Sequence, residues 1–265
     1  MNSNPILLVS GEPNSVFLEL FFKVINQNVI KNPIILISSK KLIVLQMKKL
    51  GFKNNIRLLS STRLKSYKLD NKKINLIDVE YNPSKPFEKI SSKSNIFIKR
   101  SFELAFKIIK KYNINKLING PVSKKHFLKN KFLGITEYLA HKTKTKKYAM
   151  LIYNKNLSVS PITTHLPLKH VSKSIRKNLI LEKVKLINSF FNKNLKKKPN
   201  IAITGLNPHC ESIDKFNEDQ KILKPAIKQL SKLRYKVSGP FAADTIFLKK
   251  NREKFDVIVG MYHDQ

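Results

Sequence analysis

Three of the six histidines each close an apolar run: His165 ends residues 158–165, His209 ends residues 201–209 and His263 ends residues 256–263. In an open α/β sheet, side chains just past the carboxyl ends of neighbouring strands converge on one crevice. Neutral imidazole is a common ligand for divalent transition metals. His165, His209 and His263 are therefore a candidate metal site; the competing reading makes each a hydrogen-bonded structural residue at a strand end. His126, His141 and His170 lie in lysine-rich, helix-like stretches and are read as surface residues. Cys210, the only cysteine, follows His209 directly. It is either a fourth ligand or a packing residue, and packing is favoured because successive residues of a strand point to opposite faces.

The elements that must position these residues alternate along the chain. Short apolar runs are separated by longer segments of helical period, the pattern of βα units and a largely parallel α/β sheet. Strands are expected at residues 6–10, 33–39, 74–79 and 116–119, and helices at 16–25, at about 40–50 and at 94–112. Asn119-Gly120-Pro121 is strong punctuation and divides the expected domains into residues 1–120 and 121–265. Beyond it, residues 148–153 and 157–163, separated by Asn154-Lys155-Asn156, read as an antiparallel hairpin. Helices at about 179–194 and 217–233, a strand at 237–240 and the strands leading to His209 and His263 complete the pattern.

Composition narrows the function classes. The chain has 265 residues, 42% of them hydrophobic, enough for a buried core. A formal net charge of +35 raises the possibility of nucleic-acid binding. Of the 52 basic residues, however, only six are Arg, the residue that bidentate phosphate and base recognition favours. The lysines are spread over most expected helix faces, so no specific nucleic-acid partner is expected. Residues 1–5 lack a basic, apolar targeting segment. No run is long and apolar enough for a membrane span, and a single cysteine fits a reducing compartment. A cytoplasmic protein is the expectation.

The punctuated segments, taken together, resemble one family. Gly11-Glu12-Pro13, Asn119-Gly120-Pro121-Val122-Ser123-Lys124, Gly134-Ile135-Thr136-Glu137-Tyr138-Leu139-Ala140, Thr163-Thr164-His165-Leu166-Pro167-Leu168, Gly205-Leu206-Asn207-Pro208-His209, Gly239-Pro240-Phe241-Ala242-Ala243-Asp244-Thr245 and Met261-Tyr262-His263-Asp264-Gln265 are similar, in order, to motifs of the 4-hydroxythreonine-4-phosphate dehydrogenase family of pyridoxal phosphate biosynthesis. Each string alone is weak; seven in matching order are specific. The resemblance implies two α/β/α domains with a cleft between them, like isocitrate and isopropylmalate dehydrogenases. It also implies a homodimer whose active site lies at the subunit interface. The implied reaction uses NAD or NADP and a divalent metal (Zn, Mg or Co). It oxidises 4-phosphooxy-L-threonine, a small phosphorylated amino acid, with decarboxylation to 3-amino-2-oxopropyl phosphate.

The implied metal ligands map onto His165, His209 and His263. Asp244 maps onto a catalytic carboxylate, with a helix N-cap as its structural alternative. Thr136 maps onto a substrate-binding threonine, with an ordinary helix-start threonine as its alternative. Lys124 could meet an anion, but in so lysine-rich a chain it reads as solvated. No Gly-x-Gly-x-x-Gly is present, so NAD rests on the resemblance and no cofactor-binding residue is assigned. The Gly11-Glu12-Pro13 turn could receive an anion at a helix start, although a plain strand-to-helix turn is the favoured reading.

Three departures stand out. Ile135 occupies a position where the family usually has a substrate-contacting histidine. Isoleucine can neither donate to phosphate nor accept from ammonium, which keeps open a sister activity on a phosphorylated four-carbon sugar acid or a cyclic diol acid. Residues 210–214 replace a glycine-rich continuation, so an altered loop is expected beside the metal. The family also continues for several dozen residues beyond the His-Asp-Gln motif. A C-terminally truncated member that keeps the triad but binds substrate and NAD poorly, or an inactive one, is therefore among the expectations, as is a noncatalytic basic binding module.

Overall fold

The apolar runs become short strands buried on both faces, which is why they read as continuous rather than alternating hydrophobic segments. The computed structural model describes residues 4–129 and 131–265; residues 1–3, part of the start read above for a targeting signal, lie outside the described residues. The chain falls into two compact units divided between Ile135 and Thr136, and each has its own sheet. The expected α/β class is the one found.

The first unit runs β1 (Ile6–Val9), α1 (Phe17–Asn26), β2 (Ile34–Ser38), α2 (Lys40–Leu50), β3 (Ile56–Leu58), β4 (Ile74–Asp78), α3 (Asn95–Tyr112) and β5 (Leu117–Asn119). Its strands pair in the order β3-β4-β2-β1-β5, all in parallel. Helix α1 buries Leu18, Phe21, Phe22 and Ile25, one face of a 3.6-residue period, against this sheet. Helix α2 starts at Ser39, whose side chain accepts from the Leu42 amide, and stops at left-handed Gly51.

Two family-like motifs explain each other here. Gly11 has φ +69°, and a Cβ on it would come within 2.5 Å of the Pro121 carbonyl oxygen. A Cβ on Gly120 would sit 2.1 Å from the Ser10 carbonyl oxygen. Only glycine permits this backbone approach. The Glu12 amide donates to Pro121 at 2.8 Å and the Gly120 amide to Val9 at 2.7 Å. These bonds draw Gly120-Pro121 into the first unit, so the division falls at residue 135 instead of near 120. The turn is filled by its own carboxylate: Glu12 is buried and accepts from Ser94 Oγ at 2.8 Å. That favours the plain-turn reading of Gly11-Glu12-Pro13 over an anion site.

The second unit opens on α4 (Ile135–Lys142), whose first residue precedes the division, and continues through β6 (Ser158–Pro161), α5 (Val171–Ser174), α6 (Lys177–Phe190), β7 (Ile201–Thr204), α7 (Lys224–Lys232), β8 (Val237–Phe241), α8 (Ala243–Ile246), α9 (Lys249–Arg252) and β9 (Val257–Gly260). The strand order is β6-β9-β7-β8, again all parallel. Helix α6 lays Ile180, Leu181, Val184 and Ile187 on the core. Each such burial stabilises by about 1.5–3 kcal/mol.

The expected hairpin reduces to a single antiparallel bridge, Ile152 to Val159. β6 spends its other edge on a parallel partnership with β9. The segment before it is held largely by side chains: Ser160 Oγ donates to the Met150 carbonyl at 2.6 Å, and Lys183 Nζ donates to the Tyr148 carbonyl. Gly239-Pro240 lies inside β8, within the strand expected at 237–240. Proline is tolerated there because β8 is an edge strand with irregular register against β7. Among the described residues no helix is long and apolar enough to cross a membrane.

Candidate active site

Because the four strands of the second unit are parallel, their carboxyl ends share one rim. Past β6 comes His165, past β9 His263, past β7 His209 and past β8 Asp244. Across the rim the order is therefore His165, His263, His209, Asp244, four residues that the sequence separates widely.

The geometry brings two of the histidines together and holds the third apart. His165 and His263 stack with ring centroids 5.7 Å apart and planes 28° from parallel. His209 is 79% exposed, and its Nε2 lies 3.9 Å from Asp244 Oδ2. Among the described residues no group of three His, Cys, Asp or Glu side chains is close enough to hold a metal ion. The donor set still fits a divalent transition metal in type, since all three are imidazoles. It also fits in one detail of position: His165 Nδ1 and Glu137 Oε2 are buried, lack hydrogen bonds, and lie 3.6 Å apart. On His263, Nδ1 lies 2.7 Å from Asp264 Oδ1. In both cases a carboxylate faces Nδ1, which leaves Nε2 as the ring nitrogen without a carboxylate neighbour.

The backbone sets these positions at some cost. Nine non-glycine residues among those described have positive φ. Six of them, such as Asn113 and Lys196, follow helix ends, where a left-handed residue is ordinary. The remaining three are His165 (φ 53°), His209 (φ 54°) and Cys210 (φ 63°). Each such residue costs on the order of 1 kcal/mol, and such strain clusters at functional sites.

Hydrogen bonds pin the rim loops. Thr163 Oγ1 donates to the Met261 carbonyl at 2.9 Å, joining the ends of β6 and β9. Gln265 accepts from the Met261 amide at 2.7 Å and from Thr204 Oγ1 at 2.8 Å, and donates to the Gly205 carbonyl at 2.5 Å, joining β9 to β7. Fully buried Asp219 accepts from the Leu206 amide (2.8 Å), the Asn207 amide (3.1 Å) and Asn207 Nδ2 (3.0 Å), fixing the loop that carries His209. Asp219→Ala is expected to destabilise the metal-free protein by about 3 kcal/mol, because it strands two backbone donors. A urea unfolding curve measures this. Between His209, Asp244, Asn207, Tyr262 and Gln265 opens a cavity of about 290 Å³.

The other expected residues can now be placed. Asp244 is not an N-cap: Ala242 holds that position, and Asp244 sits in the first turn of α8 with its carboxylate turned to His209. Thr136 lies in the first turn of α4, directly after Ile135. Lys124 is exposed on the first unit. Cys210 is in a single turn rather than on a strand. Its Sγ lies where a Cβ on Gly205 would come within 2.6 Å, and burial, with Asp219 adding, pushes its thiol pKa up. A protonated, packed thiol is a poor ligand, which supports the packing reading. His170 is exposed, and His126, half-buried in the first unit, lies 3.5 Å from Ser92 Oγ. Sequence reasoning assigned no role to Glu137, Asp219, Asp264 or Gln265. The first, third and fourth lie inside quoted motifs; Asp219 carried no signal.

Comparison with known proteins gives the family. The chain is 34% identical over 266 aligned positions to a 4-hydroxythreonine-4-phosphate dehydrogenase of Sulfurihydrogenibium sp. (strain YO3AOP1), an alignment covering 98% of this chain and 80% of that protein. It is 24% identical to a D-threonate 4-phosphate dehydrogenase of Salmonella typhimurium, over 100% of this chain and 83% of that one. In structure it superposes with a TM-score of 0.81 on the 4-hydroxythreonine-4-phosphate dehydrogenase of Klebsiella pneumoniae, covering 99% of this chain and 82% of that one at 24% identity, a likeness of fold. A family model described as pyridoxal phosphate biosynthetic protein PdxA matches residues 29–265, and with that span the chain belongs to the PdxA family.

Proposed function

We propose that the chain is a metal- and NAD(P)-dependent dehydrogenase that oxidises 4-phosphooxy-L-threonine (4-hydroxythreonine 4-phosphate) and releases carbon dioxide to give 3-amino-2-oxopropyl phosphate, on the route to pyridoxal 5'-phosphate. The observation that carries the reading is the rim itself, with His165, His263, His209 and Asp244 on four adjacent strand ends of a PdxA-family chain. When bound, a divalent cation would supply a Lewis acid to the oxygen that becomes the carbonyl, and a nicotinamide would accept the hydride. His165, His263 and His209 would hold that cation through neutral nitrogens, which would leave its charge to act on substrate. Asp244 takes the hydroxyl proton. The β-keto acid so formed loses its carboxylate as carbon dioxide.

The working unit in this reading is a homodimer. Within one chain the described residues pair His165 with His263 and His209 with Asp244, without bringing the three imidazoles together. A site in which one copy supplies the first pair and its partner the second reconciles the donor set with that separation. The 290 Å³ cavity beside Asp244 is the space this reading gives the substrate; Thr136, at the start of α4 and outside that lining, keeps its substrate-binding role on the family resemblance. No residue is assigned to the nicotinamide.

A second reading has its own support. Ile135 stands half-exposed at the start of α4, and a relative of this chain carries the name D-threonate 4-phosphate dehydrogenase. Both substrates should be assayed with the metal-loaded protein by NADH absorbance. A kcat/KM at least about tenfold higher on 4-phosphooxy-L-threonine is expected. Preference for D-threonate 4-phosphate, which has no amine, would overturn the first reading in favour of the second.

A further inference from the structure

Each rim histidine has a carboxylate beside it, and the one beside His165 comes from the start of the unit. Glu137 lies in the first turn of α4, 28 positions before His165, with its side chain only 15% exposed. Its Oε1 accepts from Thr164 Oγ1 at 2.8 Å. Its Oε2 has no hydrogen bond and faces His165 Nδ1, likewise buried and unbonded, across 3.6 Å. Two buried polar atoms that confront each other without closing the gap are costly. A side-chain rotation of under about 1 Å closes it to hydrogen-bond length. The Thr164 bond holds the carboxylate in place for this, one residue from the histidine it faces.

We propose that Glu137 is a positioning residue for His165: its carboxylate accepts the Nδ1 proton, which fixes the ring's orientation and tautomer and leaves the Nε2 lone pair free. Where His165 binds metal, as in the function proposed above on which this role rests, the same contact makes Nε2 a better ligand. Glu137 touches neither substrate nor metal. Lys183 lies close enough to interact with the charge of Glu137. Lys183 itself donates to the Tyr148 carbonyl and stands 4.6 Å from the Tyr148 ring centroid.

The test is nitrogen-15 NMR of the histidine side chains in the metal-free protein, with His165→Gln to assign the signal and Glu137→Gln and Glu137→Asp as variants. The wild type should show His165 protonated at Nδ1. Glu137→Gln, nearly the same shape, should shift it toward Nε2 protonation, and Glu137→Asp should restore part of the original signal. Zinc affinity by competition titration should fall roughly 10- to 100-fold in Glu137→Gln and recover in part in Glu137→Asp. An unchanged His165 signal in Glu137→Gln would overturn the proposal whatever the metal does. A shifted signal in Glu137→Gln, together with a wild type that binds no zinc, would uphold the positioning of His165 and sink the metal reading instead. A shifted signal with unchanged zinc affinity would overturn the ligand-tuning role.

Discussion

Alanine at His165 and alanine at His209 are each expected to abolish zinc binding and lower turnover by at least about three orders of magnitude, roughly 4 kcal/mol of transition-state stabilisation. Mixing the two inactive proteins, with subunit exchange, is expected to bring activity back. If one copy supplies His165 and His263 and its partner supplies His209, a heterodimer of the two variants has one site carrying both substitutions and one carrying neither. Random exchange makes half the dimers heterodimers, so about a quarter of wild-type activity should return. His165→Ala mixed with His263→Ala should behave the same way as each alone, because the stacked pair belongs to one site. No recovery in the first mixture, with exchange verified by mass, would place all three ligands on one chain and require the exposed His209 ring to swing toward the other two.

The sequence carried the sheets further than it carried the site. β1, β2, β4 and β9 were legible because a strand buried on both faces has to be a run of Ile, Leu and Val. β3 was not, since Ile56–Leu58 is three residues long with Arg57 at its centre. The expected hairpin failed for a reason local pattern cannot contain: which edge of β6 finds a partner depends on β9, almost a hundred residues later. The same limit applies at the rim. Strand-end position singled out the three histidines, but the order β6-β9-β7-β8, which makes His165 and His263 neighbours and sets His209 beside Asp244, comes from crossovers. Glu137 was hidden differently. A glutamate in the first turn of a helix already has a sufficient explanation in the helix dipole, and only the coordinates turn it toward His165.

Asp244→Asn is expected to lower kcat by about 10²- to 10⁴-fold while leaving zinc affinity within about threefold and KM little changed. The substitution keeps the shape and hydrogen-bonding reach of the side chain and removes only its ability to take a proton. It does not remove a cap, because Ala242 begins α8. Nor does it strip a buried charge of its partner, because the side chain is 63% exposed and its contact with His209 spans 3.9 Å. A stability loss is therefore not expected, and a thermal melt should superimpose on that of the wild type. Were Asp244 instead only an electrostatic partner that orients His209, asparagine would still reach the ring, and the loss would appear in zinc affinity before it appeared in kcat. Asp219→Ala supplies the reference for that second pattern, since it loosens the His209 loop without touching the reacting atoms. A kcat effect unique to Asp244→Asn assigns the proton to this carboxylate; equal effects of the two substitutions on zinc affinity, with kcat preserved at saturating metal, would take that role away from it.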